Sequence, residues 1–198
     1  MDLWERRGMD DPVYRPAEDS RLLADAAIER LAGDDGDDGD DVDLVLEVGT
    51  GSGFVAERVA ETVGCRVIGT DVNPHACRRA HDRGIETVRA HIVEPFRDEA
   101  FDAVLCNPPY LPTDPADARD DWMERALSGG PTGRAFIEPF LATVSRVLAA
   151  DGIVLCLVST LTDPDAVVEL AGAQGFSAVA VADHSFPFET LTVLELFR

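Results

Sequence analysis

The chain has 198 residues, 45% of them hydrophobic, and a formal net charge of −21. That length and apolar content fit one domain spanning 1–198 with its own core, and they exclude general disorder. No apolar stretch is long and charge-free enough to span a bilayer, and the start Met1-Asp2-Leu3-Trp4-Glu5-Arg6-Arg7 lacks a signal-peptide layout, so a cytoplasmic location is expected.

All 17 basic residues are arginine. Acidic excess argues against nucleic-acid partners, because phosphate binding needs cationic side chains. It also suits a salt-rich, halophilic cytoplasm, since the Debye length falls to about 3 Å in molar salt and self-repulsion is screened. An acidic face docking a basic partner is the other reading. Cys65, Cys77, Cys106 and Cys156 form no CxxC pair and read as small buried hydrophobes in a reducing compartment. His75, Cys77 and His81 point in different directions on a helix, so no metal site is expected.

In chain order, residues 1–20 form a Pro-interrupted arm, and a helix runs from Arg21 to Leu31 with Asp19 or Ser20 as its cap. The Gly/Asp run at 33–41 reads as an acidic surface loop. It lacks the closing glutamate of a calcium loop. Leu44–Leu46 is a buried strand, 53–63 a helix, Arg66–Thr70 a strand, 74–83 a helix, and Thr87–His91 and Phe101–Cys106 further strands. A long helix is predicted over Gly133–Ala149, then a strand at Ile153–Val158 and a helix near Asp165–Ala173. Strands near 178–182 and 191–197 close the chain and should pair antiparallel across their short loop. The alternation predicts an α/β, doubly wound, seven-stranded and mostly parallel sheet with an antiparallel C-terminal strand.

In such sheets ligands sit beyond the carboxyl ends of the strands. Glu47-Val48-Gly49-Thr50-Gly51-Ser52-Gly53 follows the first strand. Its G-x-G-x-G spacing lacks the third glycine offset of the pyrophosphate fingerprint, and the preceding acid suits an ammonium better than a diphosphate. That favours S-adenosyl-L-methionine, with S-adenosyl-L-homocysteine as product, over a nicotinamide dinucleotide. Asp71, ending the second strand, is placed for ribose hydroxyls, while Asn73 can cap the helix that begins at Pro74.

Asn107-Pro108-Pro109-Tyr110 closes the fourth strand. The asparagine amide can hold a substrate amide or amine, the prolines fix chain direction so that the Pro108 carbonyl aims at the target nitrogen, and Tyr110 offers an aromatic face. Methyl transfer to nitrogen then needs orientation and no strong base. Asn107, Pro108, Pro109 and Tyr110 are the candidate catalytic residues, and Asn107, Pro108 and Tyr110 contact the substrate. Ser20, Glu47, Gly49, Thr50, Gly51, Asp71, Val72, His91 and Asn107 are the candidate cofactor-binding residues.

Taken with Tyr14-Arg15-Pro16-Ala17-Glu18-Asp19-Ser20, Gly129-Gly130-x-x-Gly133-Arg134 and Glu189-Thr190-Leu191, these motifs resemble the HemK-type N5-glutamine methyltransferases, in their short archaeal and eukaryotic branch. The resemblance implies the class I methyltransferase fold and an arm that contributes to the cofactor pocket. It also implies methylation of the Gly-Gly-Gln glutamine of a class 1 translation release factor, and a heterodimer with a small zinc-binding activator subunit. The shortage of basic residues and the lack of a recognition domain favour a protein acceptor, so no direct nucleic-acid binding is expected. His91 stands where the family usually has an acid for the adenine amino group, leaving Glu94 or backbone to take that contact. The alternatives are N6-adenine or N2-guanine methylation of nucleic acid, which Asn-Pro-Pro-Tyr also serves, and a silent cofactor-binding scaffold, against which Glu47 and Asn107 speak.

Overall fold

The computed structural model describes residues 11–32, 42–117 and 119–198. The acidic loop 33–41 and the first ten residues of the arm lie outside them. The elements are α1 (Glu18–Leu31), β1 (Leu44–Val48), α2 (Phe54–Val63), β2 (Arg66–Asp71), α3 (Pro74–Asp82), β3 (Glu86–Arg89), β4 (Phe101–Cys106), α4 (Trp122–Leu127), α5 (Ile137–Val144), β5 (Leu148–Ser159), α6 (Pro164–Ala173), β6 (Ser177–Phe186) and β7 (Glu189–Phe197). A short 3-10 turn, Thr160–Thr162, follows β5.

The strands form one sheet in the order β3-β2-β1-β4-β5-β7-β6, in which β7 alone runs antiparallel to its neighbours. Strand residues alternate between two apolar layers, as a period of two dictates. Val45, Ala103, Leu105, Leu155 and Leu157 pack with Leu23, Ala27, Val55 and Val59 of α1 and α2. Leu46, Val104, Cys106, Val154 and Cys156 pack with Ile137, Phe140, Leu141, Val144 and Val167 of α5 and α6. With both faces covered, the chemistry is left to the loops along the strand ends. Among the described residues no helix is long and apolar enough to cross a membrane.

Two local expectations fail, and one element was missed. The helix predicted over 133–149 survives only as α5. Ala100 and Phe101 both donate their N–H to the Val147 carbonyl (2.8 and 3.0 Å), and Phe101 pairs with Leu148, so strand pairing overrides the helical preference of the alanines. The N-cap of α1 is Ala17, without a side-chain bond; Asp19 and Ser20 lie inside the helix. Helix α4 was not anticipated.

Candidate active site

β1 and β4 are neighbours with Val48 paired to Cys106, so the glycine turn after β1 and the Asn107 loop after β4 leave the sheet side by side. Together they line a cavity of about 290 Å³. Every candidate residue lies on its wall: Ser20, Glu47, Gly49, Thr50, Gly51, Asp71, Val72, His91, Asn107, Pro108, Pro109 and Tyr110.

The glycine turn is tied to β2 by N–H bonds from Gly49 and Thr50 to the Thr70 carbonyl, at 2.8 and 3.0 Å. Gly49 and Gly51 adopt φ of 72° and 52°, a region that favours glycine. A Cβ on Gly49 would meet nothing within 4 Å, and one on Gly51 only the Gly49 carbonyl at 3.9 Å. The turn is therefore an open cradle. Glu47 lies beneath it, almost wholly buried, and its Oε2 accepts from Thr50 Oγ1 (2.6 Å) and Ala56 N–H (3.1 Å). Burial pushes its carboxyl up to about 8, against these hydrogen bonds and helped by the nearby Asp71 charge. It braces turn against helix, and needs a cation to ionise readily.

Asp71 accepts from Gly51 N–H at 3.0 Å and from Asn73 N–H at 2.8 Å, one on each oxygen, leaving lone pairs for hydroxyl donors. Desolvation raises its carboxyl despite those bonds. Asn73 caps α3, its Oδ1 accepting from His75 N–H at 2.9 Å, so Asp71 is released from that task.

The arm crosses one wall. Asn73 Nδ2 donates to the Pro12 carbonyl at 2.7 Å, and Asp11 receives both Arg79 Nη groups at 3.1 and 2.9 Å. Those bonds hold the Asp11 carboxyl below its ordinary range. Tyr14 Oη and Ser20 Oγ donate to the two Asp19 oxygens, at 3.0 and 3.1 Å, which sets Tyr14 and Ser20 on the cavity wall. His91, also on the cavity wall, has its Nδ1 3.4 Å from Glu94 Oε1. The adjoining Ile92 is buried at φ 50°, an uncommon conformation for a β-branched side chain.

The Asn107 loop is stitched to the segment after α4. Leu111 N–H donates to the Leu127 carbonyl and Gly129 N–H to the Leu111 carbonyl, both at 2.9 Å, and Thr113 N–H to the Gly130 carbonyl at 3.0 Å. Gly133, at φ 74°, backs this loop; a Cβ there would sit 2.6 Å from the Tyr110 carbonyl oxygen and 2.9 Å from Thr162 Cγ2. Arg134 Nη1 bonds the Thr162 carbonyl at 2.6 Å. Pro108 and Tyr110 are buried. Among the described residues three buried side-chain oxygens lack a hydrogen-bond partner, and two of them, Thr70 Oγ1 and Asn107 Oδ1, belong to residues of this cavity. A hidden amide oxygen without a donor costs about 1–3 kcal/mol, which an arriving N–H would relieve.

Val13, Phe54, Trp122, Arg125 and Phe136 also line the cavity and were not anticipated. For Trp122 the sequence held a signal: Asp121-x-x-Glu124 is a capping pattern, and Asp121 Oδ1 does accept from Glu124 N–H at 2.8 Å.

Comparison with known proteins gives a consistent result. Residues 45–129 match a family model described as a methyltransferase domain. A putative protein N5-glutamine methyltransferase of Methanocaldococcus jannaschii is 31% identical over 191 residues, covering 94% of this chain and 92% of that protein. Methyltransferase HEMK2 of Homo sapiens is 30% identical over 206 residues, covering 97% and 92%. The release factor glutamine methyltransferase of Moorella thermoacetica is 29% identical, with only 60% of its length covered. Among solved structures, the E. cuniculi Mtq2–Trm112 complex, responsible for methylating the eRF1 translation termination factor, matches with a TM-score of 0.75 and 26% identity over 95% of this chain and 99% of that one. The near-complete overlap with the archaeal and human proteins, at 31% and 30% identity, means that the chain belongs to the HemK-type protein N5-glutamine methyltransferase family, in its short archaeal and eukaryotic branch.

Proposed function

We propose that this chain is the catalytic subunit of an S-adenosyl-L-methionine-dependent protein-glutamine N-methyltransferase that N5-methylates the glutamine of the Gly-Gly-Gln motif in a class 1 translation release factor. The observation that carries the reading is the partnerless, buried Oδ1 of Asn107 in the cavity that also holds the glycine cradle and Asp71. The similarity to the E. cuniculi protein, which is solved with Trm112, supports a heterodimer with a small activator subunit, here proposed to bind zinc. Such a substrate supports a cytoplasmic location. The net charge of −21 favours a protein acceptor over nucleic acid.

The residues present fit the cofactor. The open space over Gly49 and Gly51 admits its amino-acid end, Asp71 keeps lone pairs for the ribose hydroxyls, and Ser20, Thr50, Val72 and His91 complete the wall. When bound, the cofactor supplies a methyl group activated on a sulfonium. Asn107 Oδ1 and the Pro108 carbonyl accept the two N–H bonds of the glutamine amide, which fixes the amide plane and enriches the nitrogen. Tyr110 packs against that plane, and Pro109 keeps the loop rigid. One of the two amide protons leaves to solvent along its hydrogen bond as the nitrogen is methylated, and orientation of this kind can supply several kcal/mol of the barrier without a strong base.

Asn107→Ala tests the assignment. With the activator subunit present, the variant should bind S-adenosylhomocysteine as the wild type does and lose methyl transfer by at least about a hundredfold. Retained transfer would remove Asn107 from the reaction.

A further inference from the structure

The β6–β7 hairpin ends in a feature that the cavity does not use. Phe188, at its tip, is 95% exposed, the most exposed large apolar side chain among the described residues. Leu161, on the turn after β5, is 42% exposed. The two belong to one braced structure. Ser159 Oγ donates to Glu189 Oε1 at 2.7 Å and accepts from Leu161 N–H at 3.0 Å, while Thr190 N–H donates to Thr160 Oγ1 at 3.1 Å. This turn continues into the Asn107 loop, because Arg134 bonds the Thr162 carbonyl and Gly133 packs between Thr162 and the Tyr110 carbonyl.

Strand register gives the placement. Cys106 pairs with Cys156 and Leu157 with Val193, so Asn107 lies level with Val193. Phe188 is five residues further along (193 to 188), or about 17 Å at about 3.4 Å per residue, and β7 is two strand spacings, about 10 Å, from β4. The tip thus lies about 20 Å from Asn107, on the same carboxyl edge of the sheet that carries the cavity. It offers an apolar knob on a chain of net charge −21. A braced hairpin that leaves an aromatic ring in water, on the same sheet edge as a site whose acceptor is part of a folded protein and joined to its Asn107 loop through Gly133 and Arg134, argues that the same protein covers it.

We infer that Phe188 and Leu161 form a docking ledge for the folded body of the protein substrate, engaging an apolar patch about 20 Å from its reactive glutamine. This inference rests on the function proposed above. It makes the ledge a determinant of protein-level specificity, since a pentapeptide centred on the glutamine reaches only about 7 Å to either side.

The test uses the heterodimer with Phe188→Ser and Leu161→Ser, plus Val179→Ser as a control, an exposed apolar side chain on the β6 edge away from this rim. Phe188→Ser should raise KM for the folded release factor roughly tenfold, with kcat and S-adenosylhomocysteine affinity unchanged. Leu161→Ser should act in the same direction more weakly. Val179→Ser should leave KM unchanged, and a Gly-Gly-Gln pentapeptide should be methylated equally by wild type and Phe188→Ser. An unchanged KM for the folded factor overturns the ledge. So does loss of the activator subunit from Phe188→Ser in sedimentation, which would give the surface to that partner. So does wild-type self-association that the substitution abolishes. A wild-type heterodimer that methylates neither factor nor peptide would overturn the proposed function itself, an outcome distinct from all of these.

Discussion

Gly133→Ala isolates the acceptor loop from the cofactor cradle. Gly133 sits at φ 74°, where an L side chain costs about 1–2 kcal/mol. Its new Cβ would lie 2.6 Å from the Tyr110 carbonyl oxygen and 2.9 Å from Thr162 Cγ2, so the backbone carrying Tyr110 must move. Overpacking of that kind adds about 1–3 kcal/mol, for a total loss of about 2–5 kcal/mol. A shift of a few tenths of an ångström in Asn107–Tyr110 misaligns the acceptor amide, and kcat should fall by about a hundredfold. Gly49, Gly51 and Asp71 do not touch Gly133, so S-adenosylhomocysteine affinity by calorimetry should stay at the wild-type value. Gly172→Ala in α6, where a Cβ meets nothing within 4 Å, is the control and should gain about 0.5–1 kcal/mol. Urea titrations and turnover on the release factor read both effects. A Gly133→Ala enzyme with wild-type stability and kcat would refute the coupling between this loop and Asn107.

Three further outcomes are expected. Glu47 titrates near 8 in the folded chain and 4.5 when unfolded; below 4.5 both states hold the proton, and above about 8 neither does. Between them only the native state is protonated, so stability should fall as pH rises through that window, by up to about 5 kcal/mol, and Glu47→Gln should flatten the slope in pH-dependent urea titrations. The charge of −21 should make the melting temperature climb between dilute buffer and molar KCl, whereas a flat or falling curve in scanning calorimetry would remove the salt-adaptation reading. Arg30 donates to both oxygens of the buried Glu195, at 2.6 and 3.1 Å, and its own side chain is half exposed. Arg30→Ala should therefore cost about 2 kcal/mol, less than for a fully buried pair, and Glu195→Gln should recover part of that loss in the double variant.

The parallel strands were legible because each is a short apolar run ending at a turn residue, and Phe101–Cys106 emerged with the expected bounds. That the candidate site residues would share one cavity was legible for the same reason: Glu47, Asp71 and Asn107 each lie at the carboxyl end of such a run, where topology gathers them on one edge. What stayed hidden depends on contacts distant in sequence. Leu148–Ala149 reads as helix until Phe101 claims the Val147 carbonyl. Trp122 and Phe136 line the cavity on either side of the 127–130 segment, whose backbone bonds Leu111 and Thr113. The burial of Glu47, which makes it a brace between turn and helix as well as a candidate counter-charge, involves the α2 backbone packed against it.

The central claim is that Asn107 presents a protein glutamine to a methyl donor held by the Gly49–Gly51 turn and Asp71. Its most direct measurement is mass spectrometry of the release factor after incubation with the heterodimer and S-adenosylmethionine, with fragment ions locating the modification. The account predicts one added methyl on the Gly-Gly-Gln glutamine with wild type and none with Asn107→Ala. An unmodified glutamine with the wild-type enzyme, or a methyl placed on another residue, would contradict it.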